Sequence, residues 1–232
     1  MDKKTKTSYK TVLVKIYRAL FSHFGPQHWW PGDTPFEIAV GAILTQNTNW
    51  GNVEKAISNL KKSCSLDANV LHKLPHAKLA SLIKPAGYFN IKAKRLKHFL
   101  AFLTDQYSGV IEYMKDEDLH LLRRQLLEVN GIGPETADSI LLYALDKPTF
   151  VIDAYTKRVL IRHNIMPENA TYHEMQELFH KNLPSDVPLY NEYHALLVMT
   201  GKHYCKPEPR CQGCPLEGKY LLQGKALPCP GR

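Results

Sequence analysis

The sequence predicts an all-α fold, on three observations. Apolar residues recur at helical spacing in nearly every segment between turn signals, and no segment alternates apolar and polar residues cleanly as a strand does. The third is punctuation: Gly25-Pro26, Pro31-Gly32, Gly51, Pro75, Gly87, Gly109, Gly131, Pro148, Pro167 and Pro184 fall between the periodic runs or at their ends. A chain of 232 residues is long enough for one good core or for two lobes.

The first helix is expected over 9–24, where Val12, Leu13, Ile16, Leu20 and Phe24 share a face. The preceding lysines resemble the start of a signal peptide, but Lys15 and Arg18 interrupt the apolar run, so the segment reads as a retained helix. Further helices are expected over 35–46, 51–62, 76–84, 90–106, 117–128, 134–145, 153–163, 171–181 and 187–201. No stretch approaches the roughly 20 apolar residues that cross a bilayer. The expected setting is therefore the cytoplasm, with no membrane partner. From Cys205 onward the composition turns to Pro, Gly, Lys and Cys, which fills no core and reads as a loop tied down by something else.

Charge points to a partner. Lys and Arg number 30 against 22 Asp and Glu, a net charge of +8, and a pI near 9.1 favours a polyanion. The same balance also serves as solubilising surface charge. Localised features decide between the two, and the most specific is VNGIGPETADSI, residues 129–140. Gly131 and Gly133 strip side chains from a turn between two helices. Pro134 stands at the first position of the second helix, where its missing N–H costs nothing. Such a turn lets backbone N–H groups approach a phosphate oxygen directly, although glycines also make ordinary helix-helix turns.

With its flanking text the turn reads LLEVNGIGPETADSILLYAL followed by VIDAYTKRVL, and this resembles the helix-hairpin-helix DNA glycosylase superfamily that includes endonuclease III. TPFEIAVGAILTQNTNW, GYFNIKAKRL and GKHYC extend the resemblance over nearly the whole chain. It implies a two-lobed fold with DNA running between the lobes: a six-helix domain at 30–147 carrying the hairpin, and a second domain from 1–29 and 148–232 with a C-terminal cysteine loop. It implies that Gly131, Ile132, Gly133 and Thr136 grip the DNA backbone. Gln46 and Asn47 match the place of a side chain that fills the gap left by a flipped base. Asp153 matches the aspartate at the mouth of the lesion pocket, at a helix start where an aspartate is also an ordinary cap.

Bifunctional members of the superfamily carry a lysine two residues after the second hairpin glycine, where its amine attacks the sugar. This chain has Glu135 there, and a carboxylate forms no imine. The resemblance thus implies a monofunctional enzyme of base-excision repair, acting as a monomer on double-stranded DNA containing a damaged base. Within the superfamily the motifs WWP, LTQNT with a following aromatic and the glutamate after the hairpin are most similar to the 3-methyladenine DNA glycosylase III group. Trp29, Trp30, Pro31, Trp50 and Glu135 then line the pocket, and electron-rich indoles suit a cationic alkylated purine. Indoles also fill cores. Uracil, mismatched thymine or an oxidised base as the target, and a non-catalytic DNA-binding module, remain open alternatives.

Cys205, Cys211, Cys214 and Cys229 read C-x5-C-x2-C-x14-C. Four thiolates suit a 4Fe-4S cluster or a tetrahedral zinc ion. Relatives of endonuclease III carry the cluster with the spacing C-x6-C-x2-C-x5-C, and here Tyr220 stands where the last ligand would fall. The resemblance favours iron-sulfur, with zinc or an unliganded tail as alternatives. Lys92, Lys94, Arg95 and Lys97 form a basic cluster open to two readings, a phosphate contact or a solvated helix face.

Overall fold

The computed structural model describes residues 8–218, and among them every regular element is helical. Two compact units divide the chain, one spanning Trp30–Lys147 and the other combining the segments before and after it.

In the Trp30–Lys147 unit, α2 (Pro35–Leu44) is apolar on nearly every side and forms the centre of the core, with Ala39, Val40, Ile43 and Leu44 buried. Thr34 caps it, accepting from Glu37 N–H, and Pro35 occupies its first turn without a lost bond. Against it pack α3 (Trp50–Ser63) and the long α6 (Phe89–Tyr107); the short α4 (Ala68–Lys73) and α5 (His76–Leu82) lie against α6, and α7 (Leu119–Glu128) follows. Next comes α8 (Pro134–Ser139), which widens into a π turn over Ile140–Ala144. Leu96, Phe99, Leu100 and Leu103 of α6 belong to the same buried core as Ile140 and Leu141.

The expected helix over 35–46 stops at Leu44. Thr45 turns its hydroxyl onto Gly41 O at 2.6 Å, and Asn47 then takes a left-handed backbone at φ 55°. α4 is not among the expected helices, since six residues are too few to show a period. Asp67 makes it, accepting from Val70 N–H at 2.9 Å.

The basic cluster of α6 is neither a phosphate patch nor a solvated face. Lys92 is 1% exposed and its ammonium donates to Leu44 O at 2.8 Å and Ala86 O at 2.7 Å. Lys97 donates to the carbonyls of Leu71, His72 and Leu74 at the end of α4. Arg95 packs on the hairpin, and only Lys94 of the four is exposed. A cation satisfying the orphan carbonyls of a helix end leaves the charge pattern in the sequence unchanged, so the pattern does not tell the two placements apart.

In the other unit α1 (Tyr9–Phe24) buries Val12, Leu13, Ile16 and Leu20 against α10 (Tyr172–Asn182) and α11 (Val187–His203). Tyr193 donates its hydroxyl to Leu13 O at 2.9 Å, and Phe150 stacks on Phe179 with centroids 3.7 Å apart. Against α11 lies α9 (Ala154–Arg162).

Candidate nucleic-acid interface and carboxylate site

α7 ends when Val129 N–H turns back to Leu126 O at 3.2 Å, and the chain reverses through Asn130–Gly133 into α8. Gly131 has φ 95°, and a Cβ there would lie 2.2 Å from Arg95 Cγ. Glycine is required at that position twice over, by backbone conformation and by the arginine stem. Gly133 differs. Its φ is −95°, it is exposed, and a Cβ there would meet nothing within 4 Å, so its outer side is open to an approaching group.

Ile132 is 5% exposed and its N–H is spent on Val129 O at 3.0 Å. Its side chain anchors the turn in the core, and the N–H groups that remain at the turn are those that open α8. Those first-turn groups have no intrahelical acceptor. Thr136, 7% exposed, faces inward and accepts from Gln46.

Gln46 braces the turn. Its Nε2 donates to Gly131 O and to Thr136 Oγ1, both at 3.0 Å, while its Oε1 accepts from Arg95 Nη1. Every polar atom of that amide is engaged, whereas the neighbouring Asn47 is exposed. A second strut joins the helices themselves: Arg123 of α7 forks onto Asp138 of α8 at 2.7 and 3.0 Å, with the carboxylate wholly buried. Glu135 sits exposed in the first turn of α8, its carbonyl accepting from Ser139.

Three rings assemble beside α2. Trp30 meets Trp50 edge-on at 5.4 Å and tilts over Tyr143 at 5.0 Å. Gly41 makes room, since a Cβ there would sit 3.3 Å from the Trp50 ring. Tyr143 is the member that sequence reading misses; it lies one turn beyond the hairpin helix, in the π segment, where its identity carries no motif. Pro31 is exposed. Trp29 belongs to the other unit, where Lys202 Nζ stands 5.4 Å from its ring centroid.

Asp153 caps α9: its Oδ1 accepts from Thr156 N–H at 2.7 Å. Its Oδ2 lies 3.6 Å from His194 Nε2 of α11, and the two side chains are 13% and 4% exposed. Burial would push this carboxyl up, but the His194 charge and the Thr156 N–H together hold it below the usual carboxylate range. The capping and catalytic readings of Asp153 are therefore compatible, because the cap uses one oxygen and leaves the negative charge in place. No sequence signal announces His194.

α9 also reaches the cysteine loop. Arg158 donates to Cys205 O, and Arg162 donates to Lys206 O, to Pro207 O at 2.7 Å and to Cys205 Sγ at 3.4 Å. Cys214 N–H donates to Cys211 O at 2.9 Å, and the Cys214 thiol is pushed up by burial while the N–H groups of Leu216 and Glu217 act the other way. Guanidinium and N–H groups aimed at sulfur are the surroundings a thiolate-bound group needs. Among the described residues, however, no three or more His, Cys, Asp or Glu side chains are arranged to hold a metal ion. Cys229 and Tyr220 lie outside the described residues. Cys64 is half-buried and donates its Sγ–H to Leu60 O.

The chain belongs to the HhH-GPD superfamily of base excision DNA repair proteins, whose profile matches residues 40–185. It is 49% identical over 207 residues to a provisionally named DNA repair glycosylase of Methanocaldococcus jannaschii, covering 89% of this chain and 94% of that one. It is 28% identical to endonuclease III of Thermotoga maritima over 82% of this chain and 86% of that one. Among solved structures, the H. pylori 3-methyladenine DNA glycosylase bound to 1,N6-ethenoadenine superposes with a TM-score of 0.72 at 29% identity, over 84% of this chain and 98% of that one. An endonuclease III–DNA complex superposes at 0.77 with 20% identity, a likeness of fold.

Proposed function

We propose that the protein is a monofunctional DNA glycosylase that hydrolyses the N-glycosidic bond of a flipped alkylated purine such as 3-methyladenine, leaving the strand intact. The observation that carries this reading is Asp153: a nearly buried carboxylate held charged by His194 and Thr156, in a chain of a base-excision family.

As the glycosidic bond lengthens, positive charge grows on the deoxyribose. A fixed negative oxygen stabilises that charge without reorganising. The bond pair leaves with the base, water adds to the sugar carbon and its proton passes to solvent; because its pKa is depressed, Asp153 is a poor proton acceptor and serves to stabilise charge and orient the water. Displacement of the base by water needs no lysine imine, in keeping with Glu135 in place of the lyase lysine.

Trp30, Trp50 and Tyr143 form the stacking surface for the extruded base, with Trp29 and Pro31 adjoining in sequence and Glu135 as a further pocket residue. Electron-rich rings favour a cationic alkylated purine over its neutral parent. Gly131 and Gly133 with the N–H groups opening α8 grip a backbone phosphate, Ile132, Thr136 and Gln46 hold that turn in shape, and Asn47 enters the duplex. Cys205, Cys211, Cys214 and Cys229 hold a 4Fe-4S cluster, zinc being the alternative occupant of the same four thiolates. When bound, that group supplies structural support to the C-terminal loop. Arg158 and Arg162 tie the loop to the helix that begins at Asp153.

The test is a panel of single-lesion duplexes, with released bases identified by mass and the enzyme challenged with borohydride. Free 3-methyladenine with no trapped covalent complex supports the proposal. Release only of uracil, thymine or an oxidised base overturns the substrate class, and a trapped complex overturns the monofunctional assignment.

A further inference from the structure

α9 and α11 meet closely, and Gly201 is the reason. A Cβ there would lie 2.2 Å from Tyr155 Cδ1, so the first turn of α9 rests on bare backbone of α11. His194 stands seven residues before Gly201, two helical turns back on the same face. As Gly201 receives Tyr155, that face brings His194 Nε2 to 3.6 Å from Asp153 Oδ2, with the two side chains 4% and 13% exposed.

The two oxygens of Asp153 are thereby divided. Oδ1 is spent on Thr156 N–H at 2.7 Å, and Oδ2 faces the imidazole. At 3.6 Å the contact is longer than a hydrogen bond, so what His194 delivers is charge rather than a fixed orientation. A protonated imidazole this close favours the ionised carboxylate, yet it takes back part of the attraction that the same carboxylate offers a positive sugar. Asp153 is the charged group that α9 brings to His194. From α1, Tyr17 meets the neighbouring Tyr193, and from α10, His180 stacks on Tyr190, one turn away along α11. Phe150 sets an uncharged ring edge-on to the imidazole itself.

We infer that His194 is a positioning residue acting through Asp153: its proton decides how much of the carboxylate's charge reaches the sugar, and base release is faster once that proton is gone. This rests on the glycosylase reading proposed above. Two other sources of a pH effect are removed by the chemistry. The Asp153 carboxyl is held below the usual carboxylate range, and Thr156 N–H stays on it in either state of the imidazole. A cationic alkylated purine needs no proton to leave. Imidazoles are the side chains that ordinarily change charge between about pH 5 and 8, so a rise of rate in that window belongs to a histidine.

The experiment measures single-turnover release of 3-methyladenine from methylated duplex DNA at saturating enzyme, for wild type and for His194→Gln, each checked for folding by thermal melting. Spontaneous release is subtracted at each pH. The wild-type rate is expected to rise about tenfold from about pH 5.5 to about pH 8.5 through one ionisation. In His194→Gln, which puts an uncharged amide in place of the imidazole, the rise should vanish and the rate at about pH 5.5 should exceed the wild-type rate about tenfold. A flat wild-type profile overturns the inference, and this keeps the test decisive if His194→Gln fails to fold. A folded variant that retains the wild-type rise overturns it too, as does one that is flat at or below the wild-type rate at acid pH. A wild-type protein that releases no base at any pH refutes the glycosylase reading instead.

Discussion

Under the proposed function the chemistry turns on Asp153 and Glu135, and each makes a prediction of its own. Restoring the missing amine tests the Glu135 argument. In Glu135→Lys, an amine occupies the exposed first turn of α8, and borohydride should trap a covalent complex with DNA that the wild type does not form. Failure of the variant to trap would mean that more than the nucleophile separates this chain from lyases. For Asp153 the sign of the pH effect follows from its depressed folded pKa. Its contribution to stability is fully present above the unfolded pKa of about 4 and is lost as pH falls through the lower folded value. Asn at this position keeps the cap and removes the titration, so Asp153→Asn should flatten the acid limb of the melting temperature below about pH 4. At this scale the sequence was informative about identity and silent about partners. The place of Asp153 is legible from its motif. That His194 faces it, that Gln46 braces the hairpin, that Lys92 is buried and that Lys97 turns onto the end of α4 are facts of three-dimensional packing between residues 23 to 85 apart.

The hairpin is the element that sequence reading describes best, because glycine, proline and an isoleucine each have one physical reason to be where they are. Its rigidity, by contrast, comes from Arg95, Gln46 and the Arg123–Asp138 fork, which no local pattern announces. Two substitutions separate these sources. Gly131→Ala drives a methyl group into the Arg95 stem at an unfavourable φ, and should destabilise the protein by about 1–3 kcal/mol while weakening DNA binding. Asp138→Ala leaves a half-buried guanidinium without its buried carboxylate, with an expected loss of about 3–5 kcal/mol in denaturant unfolding. A Gly131→Ala protein as stable as wild type would show that the turn has room the geometry denies. α4 escaped sequence reading for a related reason: it is set by a single side-chain bond from Asp67 rather than by a periodic face.

At the scale of the molecule, an excess of eight positive charges with no helix long and apolar enough to cross a membrane among the described residues suits a partner that is a polyanion. Binding to undamaged duplex should therefore fall steeply between about 50 and 200 mM salt, measured by fluorescence anisotropy. A brown protein containing about four irons per chain is the expected outcome for the C-terminal loop, and zinc in its place would correct the cofactor while leaving the glycosylase chemistry untouched. The most direct test of the account is the rate at which 3-methyladenine is released from methylated duplex DNA by wild type and by Asp153→Asn, with binding to the same DNA measured alongside. The account predicts release by the wild type and a loss of about a hundredfold or more in the variant at undiminished affinity. A variant that binds normally and releases base at the wild-type rate would contradict it.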